Sequence, residues 1–379
     1  MPIAAKYMSV CEKLKSEILE GKYRSARVFP SSTALARRFK TTRATIRRAL
    51  DLLRNQGLVG SRQGRGTFVT KQASMRTIGF IVPSVSKYEL FPPILAALTR
   101  LSREAGYTLV YSDVYSYDSS RQEAEVRELA RRLIEDRAAG VIFQPLDYAT
   151  DGGRTNREVL EAFARAGIPV VLLDSDVVPP PGRSALDLVS IDNIQAAETL
   201  ARHVIDCGAK RLCVVSRPNW WPNFMNRVRG VRLAVVSAGL RWGADSFTLL
   251  APDNLRALRK LMKGRFSPDA FVCEDDDMAA VMIQSLAKLG FAVPDDVMVA
   301  GFDDVRIAGL VTPPLTTMRQ PHEALAATAF RRILERIARP ELLPTEIFLP
   351  ATLVRRASTR SNPQLATPLV NNRRKERKK

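Results

Sequence analysis

From Thr77 onward the chain keeps a rhythm that leaves few folds open to it. Apolar runs at Ile78–Val82, Thr108–Tyr111, Val141–Phe143 and Val170–Leu173 are separated by helix-length segments at 93–105, 120–137 and 157–166. The second half repeats the pattern. Strands are predicted at Leu188–Ile191, Leu212–Val215, Ser246–Leu250, Ala270–Cys273 and Val297–Ala300, with helices near 194–207, 225–239, 253–263 and 277–289. Strands that alternate with helices of this length imply crossover connections, and therefore parallel sheets covered by helices. Roughly ten strands exceed one comfortable sheet, so the expected fold is α/β with two lobes. A ligand is expected where the carboxyl ends of the strands meet in a cleft.

The first seventy residues follow another rule. Thr41-Thr42 is a helix N-cap signal, because a side-chain oxygen there can accept one of the amide hydrogens orphaned at a helix start. After it, Ile46, Ala49, Leu50 and Leu53 recur at helical spacing and share one buried face. That leaves Arg43, Thr45, Arg47 and Arg48 on the outer side, as needed for phosphate positioning and base-edge contact in a major groove. A short helix over Thr33–Phe39 and a tight turn at Lys40-Thr41 complete a helix-turn-helix. Gly57 stops the long helix. Leu58-Val59 and Thr67-Phe68-Val69 read as two short strands around the basic tip Arg62-Gln63-Gly64-Arg65-Gly66. An arginine-rich helix alone is commonly just a solvated face; the glycine-rich wing beside it turns the reading toward DNA. Upstream, residues 7–20 form a helix with Val10, Leu14 and Ile18 on one face.

Charge supports this division. Residues 1–76 carry 17 Lys/Arg against 4 Asp/Glu, and the tail 371–379 carries 6 against 1. The 294 residues between them hold 35 against 34, so the net charge of +19 sits almost wholly at the two ends. Such placement is the footprint of a nucleic-acid partner. Cys11, Cys207, Cys213 and Cys273 are scattered with no CxxC spacing, and fit reduced, buried thiols in a cytoplasmic protein. No apolar run reaches membrane-spanning length, and the start of the chain lacks a signal-peptide core.

Three blocks, YMSVCEKLKSEILEGKY, FPSSTALARRFKTTRATIRRALDLLRNQGLV and RQGRGTFV, resemble the GntR family of bacterial transcription regulators in order and spacing. The resemblance implies a winged helix whose DNA contacts carry over to Thr42, Arg43, Thr45 and Arg47, with Arg48 beside them, and to Gln63, Gly64 and Arg65 in the wing. One position departs. Where the family usually reads PSERELA, this chain has Pro30-Ser31-Ser32-Thr33-Ala34-Leu35-Ala36, so Thr33 replaces an arginine that commonly touches DNA.

A second set of blocks covers about 77–356. IGFIVPSV, AGYTLVYSD, AAGVIFQP, GIPVVLLD, VSIDNIQAAETLARHVIDCGAKRLCVVS, RVRGVRLAVVSAGL and GFAVPDDVMVAGFDDVRIAGLVTPPLTTMRQP resemble the LacI/GalR effector domain. That fold is similar to the periplasmic sugar-binding proteins. The pairing of head and effector domain is similar to the arabinose-repressor type of regulator. The resemblance implies effector contacts at Arg227, three residues before Gly230, and at Asp303 of GFDD, with Asp304 capping the following turn. It further implies contacts at Asp275, where the family often has Asn, and at Gln320, with Phe91 and Gln144 on loops after the first and third strands. Trp220, in RPNWWPN, is placed to stack on the apolar face of a sugar or to pack a lid. The acidic run Glu274-Asp275-Asp276-Asp277 is better explained by helix capping than by a metal.

No catalytic residue, metal or cofactor is assigned. His203 and His322 have no partner at useful spacing, Ser216 and Ser237 lack the G-x-S-x-G elbow, and no Walker loop or G-x-G-x-x-G follows a strand. The expected domains are a winged helix at 1–70, a linker at 71–76, an effector domain at 77–357 and a disordered basic tail at 358–379. The expected lobes are about 77–174 with 319–340, and about 175–318 with 341–357. The reading is a non-enzymatic, cytoplasmic, homodimeric repressor of a pseudo-palindromic double-stranded DNA operator, with a sugar or sugar derivative as effector. A purine effector is the alternative within that class. An exported sugar-binding protein and a pyridoxal-phosphate enzyme fusion are the alternatives outside it, opposed by the basic head and by the lack of a Schiff-base lysine arrangement.

Overall fold

The structure, a computed structural model, describes residues 3–19, 22–23, 29–55, 58–62, 66–69, 76–82, 89–113, 119–146, 153–179, 181–217 and 222–360. Gln63, Gly64, Arg65 and Trp220, most of the expected linker, and the tail beyond Arg360 lie outside them. The chain divides into two contact units. One holds Met1–Ser84, Ile94–Leu172 and Ala326–Leu343; the other holds Val85–Pro93, Leu173–Leu325 and Pro344–Lys379.

In the first unit the head consists of α1 (Ile3–Leu19), α2 (Ser32–Arg38) and α3 (Arg43–Asn55), then β1 (Val59–Arg62) and β2 (Gly66–Val69). The two strands pair antiparallel, with Val59 opposite Val69 and Arg62 opposite Gly66. Val10, Leu14 and Ile18 of α1 close on Leu35, Ile46, Ala49, Leu50, Leu53 and Val59, so the predicted stripes meet in one core. Ser31 caps α2 by accepting the Ala34 N–H (3.2 Å), and Thr42 caps α3 by accepting the Thr45 N–H (3.2 Å). Lys40 takes a left-handed backbone (φ 45°) at the turn between them.

One ionic knot ties this small core. Glu17 accepts from Tyr23 Oη (2.6 Å), from Arg38 Nη1 (2.8 Å) and from Lys22 Nζ (3.2 Å). Burial alone would raise the Glu17 carboxyl; the donors from Arg38, Tyr23 and Lys22 outweigh it and hold the group at about 2.

The same unit contains four parallel strands in the order β4 (Tyr107–Tyr111), β3 (Arg76–Ile81), β5 (Gly140–Phe143) and β6 (Val170–Leu173). Helices α4 (Phe91–Glu104), α5 (Ser119–Glu135) and α6 (Arg154–Arg165) alternate with them in sequence. Arg76 opens β3 opposite Tyr107, so the strand begins inside the stretch expected to be linker.

The second unit is built on a six-stranded sheet, β14 (Thr352–Val354), β12 (Thr316–Arg319), β11 (Met298–Asp303), β10 (Ala270–Cys273), β8 (Leu212–Ser216) and β9 (Phe247–Leu249) in that order. Only the β12–β14 pair is antiparallel. β7 (Asp187–Ile191) pairs in parallel with β13 (Glu346–Leu349). The helices are α7 (Asn193–Asp206), α8 (Pro222–Ser237), α9 (Leu255–Met262), α10 (Asp276–Lys288) and α11 (Arg306–Leu310), followed by α12 (His322–Ala338), most of which belongs to the first unit. Strands β8, β10 and most of β11 are buried throughout, which explains their unbroken apolar runs.

Strands β12, β13 and β14 and helices α11 and α12 extend the predicted set. β12 reads Thr-Thr-Met-Arg, a polar sequence that is buried because its threonines are bonded: Thr317 Oγ1 donates to Asp276 Oδ1 (2.5 Å), and the Thr316 N–H donates to Ser358 Oγ (2.8 Å). All four cysteines are free and buried.

Candidate functional site

The head presents the basic surface that the sequence places there, with one change. Arg43, Arg47 and Arg48 are exposed on α3. Thr45 is only 8% exposed. Its hydroxyl lies 2.9 Å from that of Thr42, so it belongs to the start of the helix rather than to its outer side. Helical spacing alone did not show this, because it is the hydroxyl contact with the capping Thr42 that draws the Thr45 side chain inward. A hollow of about 590 Å³ opens beside it, lined by Lys6, Tyr7, Lys40, Thr41, Thr42, Ala44, Thr45 and Arg48. The Arg48 guanidinium stacks over the Tyr7 ring at 5.2 Å. Lys6 and Tyr7 were not expected here and Lys40 was expected only as a turn residue: they come from α1 and the turn, and only folding gathers them around the start of α3.

The second site lies in the second unit and is centred on Arg227. α7 and α8 approach closely at Gly230, where a Cβ would press into the Ile194 carbonyl oxygen and sit 2.9 Å from Ala197 Cβ. One turn earlier, that closeness lets Arg227 reach across to the first residue of α7. Its Nε donates to Asn193 Oδ1 (2.9 Å) and its Nη1 to the Glu274 carbonyl (2.6 Å). Its Nη2 is 3.8 Å from Asp303 Oδ1, and the guanidinium sits 4.2 Å over the Phe302 ring. Arg227 is therefore a fixed, buried cation rather than a loose surface arginine.

Asp303 ends β11 and accepts from Gln320 Nε2 (2.7 Å). Burial pushes its carboxyl up to about 6, against the opposing pull of Arg227 and Gln320 and with the help of Asp275 and Asp174. Gln320 is 3% exposed, and its Oε1 has no hydrogen-bond partner within the described structure. A buried carbonyl oxygen left in that state costs about 1–3 kcal/mol, a cost that a donor from outside the chain would remove. Arg227, Asp303 and Gln320 are thus brought together.

Asp275, Asp304 and Phe91 are placed differently from the expectation. Asp275 caps α10 through the Met278 N–H (2.7 Å) and pairs with Arg217 Nη1 (2.5 Å), so its carboxylate is already engaged on two sides. Asp304 does not cap the following turn: α11 has no side-chain cap, and the N–H of its preceding residue, Val305, goes to Asp276 Oδ2 (3.0 Å). Asp304 instead bonds two arginines, Arg319 and Arg356. Phe91 is the first residue of α4, not a loop residue, and is buried. Gln144 follows β5 as expected and is buried in the first unit, its N–H on the Ile81 carbonyl (2.8 Å). His203 meets Thr359 Oγ1 (3.0 Å), and burial lowers both it and His322. Sequence reasoning missed Asn193, Asn223, whose Nδ2 donates to Asp174 Oδ2 (2.8 Å), and Arg217. The visible signal for Asn193 was its place directly after Asp192, which caps α7 through the Gln195 N–H (2.9 Å).

A basic winged helix joined to an α/β domain with a buried arginine–carboxylate–amide site defines a two-part transcription regulator. Residues 6–69 match the model of the bacterial regulatory proteins of the gntR family, and residues 201–359 match the periplasmic binding protein-like domain. The chain thus carries a GntR-type DNA-binding head and a periplasmic-binding-protein-like effector domain. It is 25% identical over 367 residues to the arabinose metabolism transcriptional repressor of Geobacillus stearothermophilus, covering 93% of this chain and 97% of that one. It is 26% identical over 286 residues to the ribose operon repressor of Escherichia coli K12, covering 74% and 82%. Among solved structures, a complex of the transcriptional regulator CelR with cellobiose superimposes with a TM-score of 0.63 over 90% of this chain and 94% of that one, at 23% identity. At that identity the superposition speaks for the fold. No described helix is long and apolar enough to cross a membrane.

Proposed function

We propose that this protein is a cytoplasmic, homodimeric transcription repressor whose operator affinity is set by a small hydroxylated ligand, a sugar or sugar derivative, bound beside Arg227, Asp303 and Gln320. The observation that carries the reading is the mismatch at this site. Gln320 gives its amide N–H to Asp303 and is left with a bare carbonyl oxygen, next to a carboxylate and a buried arginine fork. A vicinal diol offers both donors to the two acceptors and an oxygen to the fork, which few other neutral ligands do. Relatives named as arabinose and ribose repressors support the same ligand class. In the head, Arg43, Arg47 and Arg48 meet phosphates and base edges, and two heads read half-sites spaced by the dimer axis. Ligand binding changes operator affinity through a coupling of about 1–3 kcal/mol.

The test is a thermal-shift screen of the purified protein against pentoses, hexoses, uronic acids, sugar phosphates and purines, because a ligand specific for the folded state raises the melting temperature. The expected result is one class of neutral sugar that raises it, with the shift lost in Arg227→Ala and Asp303→Ala. A shift from purines alone would move the protein to a nucleobase-responsive reading. No shift from any compound would defeat the ligand assignment while leaving the head's function standing.

A further inference from the structure

Two consecutive non-glycine residues, Asp303 and Asp304, hold positive φ angles of 104° and 55° at the end of β11. L-residues rarely adopt that conformation, and it persists only where the surroundings over-determine it. Here the surroundings do so at three successive positions. Asp303 takes the Gln320 amide (2.7 Å). The Val305 N–H goes to buried Asp276 (3.0 Å). Between them, Asp304 accepts Arg319 Nε on Oδ2 (2.6 Å) and Arg356 Nη2 on Oδ1 (2.6 Å), one arginine for each carboxylate oxygen. Arg356 is itself anchored, with Nη1 on the Leu315 carbonyl (2.8 Å). On the other side Gly301 lets the strand lie close to Asp276, since a Cβ there would press on the Asp276 carboxylate and stand 2.9 Å from Leu315 Cδ2.

Asp304 touches neither Arg227 nor Gln320 among the contacts described. Its side chain is nonetheless 6% exposed and spends both oxygens on arginines from elements later in the chain. A charged group so placed restrains its own backbone, and the residue immediately before it is the carboxylate of the candidate ligand site. We propose that Asp304 is a positioning residue for the ligand site: the Arg319–Asp304–Arg356 clamp holds a strained turn in the one geometry that presents the Asp303 carboxylate to Arg227, Gln320 and an incoming ligand. The proposal deepens the ligand-site reading and rests on it only for its consequences on affinity.

The direction of a titration separates positioning from simple charge. Asp303 is faced by Arg227 of α8, by Gln320, and by the carboxylates of Asp275, Asp174 and Asp276. Removing a neighbouring negative charge makes a carboxyl easier to ionise and lowers its titration midpoint. Losing the geometry that sets Asp303 against Arg227 does the opposite. The experiment is carbon-detected NMR titration of the Asp303 carboxyl in the ligand-free full chain, assigned by its absence in Asp303→Asn. Asp304→Asn is the principal variant, because asparagine tolerates positive φ and keeps the volume while losing the charge-assisted bonds. The Asp303 midpoint is expected to rise by about one pH unit, the size of an opposite charge withdrawn to a longer distance. Arg319→Lys, at a side chain 57% exposed, keeps the charge but loses the planar fork, and is expected to move it the same way by less. In parallel, affinity for ribose, arabinose and cellobiose is measured by calorimetry, and whichever binds the natural protein is expected to bind Asp304→Asn at least ten times more weakly.

A midpoint that falls or stays put in folded Asp304→Asn overturns the proposal, as does unchanged sugar affinity. If Asp304→Asn does not fold, the Arg319→Lys midpoint decides the matter by the same signs, because the charge is unchanged and only the geometry is lost. A midpoint that rises while no sugar binds the natural protein leaves the clamp standing and removes the sugar reading instead.

Discussion

The molecule uses arginine in two opposite ways. On α3 the guanidinium groups of Arg43, Arg47 and Arg48 project from an exposed helical face, and Arg48 rests on the Tyr7 ring as its one described contact. In the second unit Arg227 is buried, stacked on Phe302 and bonded to Asn193 and the Glu274 carbonyl. The first arrangement suits a polyanion whose charge acts over a Debye length and whose counterions are released on binding. The second suits a small ligand that must find a fork already aimed. The difference teaches that charge is the currency in the head and geometry is the currency in the effector domain. A substitution that keeps one and destroys the other tells the two apart.

The largest expected effect follows from that test at the buried site. Arg227→Lys keeps the positive charge but loses the planar fork and the stacking face. It is expected to cost ligand affinity about 100-fold, or about 2.7 kcal/mol, nearly as much as Arg227→Ala. Calorimetry with the sugar that binds the natural protein reads it; a lysine variant that binds within threefold would show that charge alone suffices, and the comparison would break.

The pH dependence comes next. Desolvation, its largest influence, pushes the Asp303 carboxyl up to about 6. A ligand that donates hydrogen bonds to the carboxylate binds the ionised form better, so binding lowers that midpoint. Affinity is therefore expected to be full above pH 7 and to fall as pH drops through 6, by about tenfold at pH 5. An affinity flat from pH 7.5 to 5, measured with the head intact, would mean that Asp303 meets no ligand donor.

The smallest effect belongs to the exposed surface. Arg47→Ala is expected to weaken operator binding by about fivefold near physiological salt, and to reduce the slope of log affinity against log salt by about 0.9. Arg47→Lys should restore that slope, as Arg227→Lys should not restore ligand binding. Fluorescence anisotropy across a salt series gives both quantities. A lysine variant as weak as the alanine one would place Arg47 on a base edge rather than on phosphate.

The sequence made the two regions legible to different degrees. The strand runs in β5, β6, β8 and β10 could be read nearly to the residue because these strands are buried on both faces, and burial writes continuous apolar sequence. β12 was invisible for the converse reason: Thr316 and Thr317 satisfy their hydroxyls against Arg356, Thr359 and Asp276, so a buried strand reads as polar. Arg227, Asp303 and Gln320 could be named because a long resemblance put them in register. Asp304 could be named but not understood, since its partners Arg319 and Arg356 lie 15 and 52 residues away, and no local pattern announces a bond of that span. Thr45 shows the limit of periodicity itself. Helical spacing placed it outward, and one hydrogen bond to the capping threonine turned it in.

The span of the Asp304–Arg356 bond also sets an order of events during synthesis. The hydrophobic core of the head draws on residues no later than Val69, whereas the carboxylate clamp waits for Arg356. At translation rates of about 5–20 residues per second, and with domains folding as they emerge, roughly 15–60 seconds separate the two. Through that interval the residues of the proposed ligand site, Arg227, Asp303 and Gln320, are made one after another, and the clamp is completed last. A chain truncated before Arg356 would therefore keep the arginine surface of the head and lose the clamp beside the proposed ligand site.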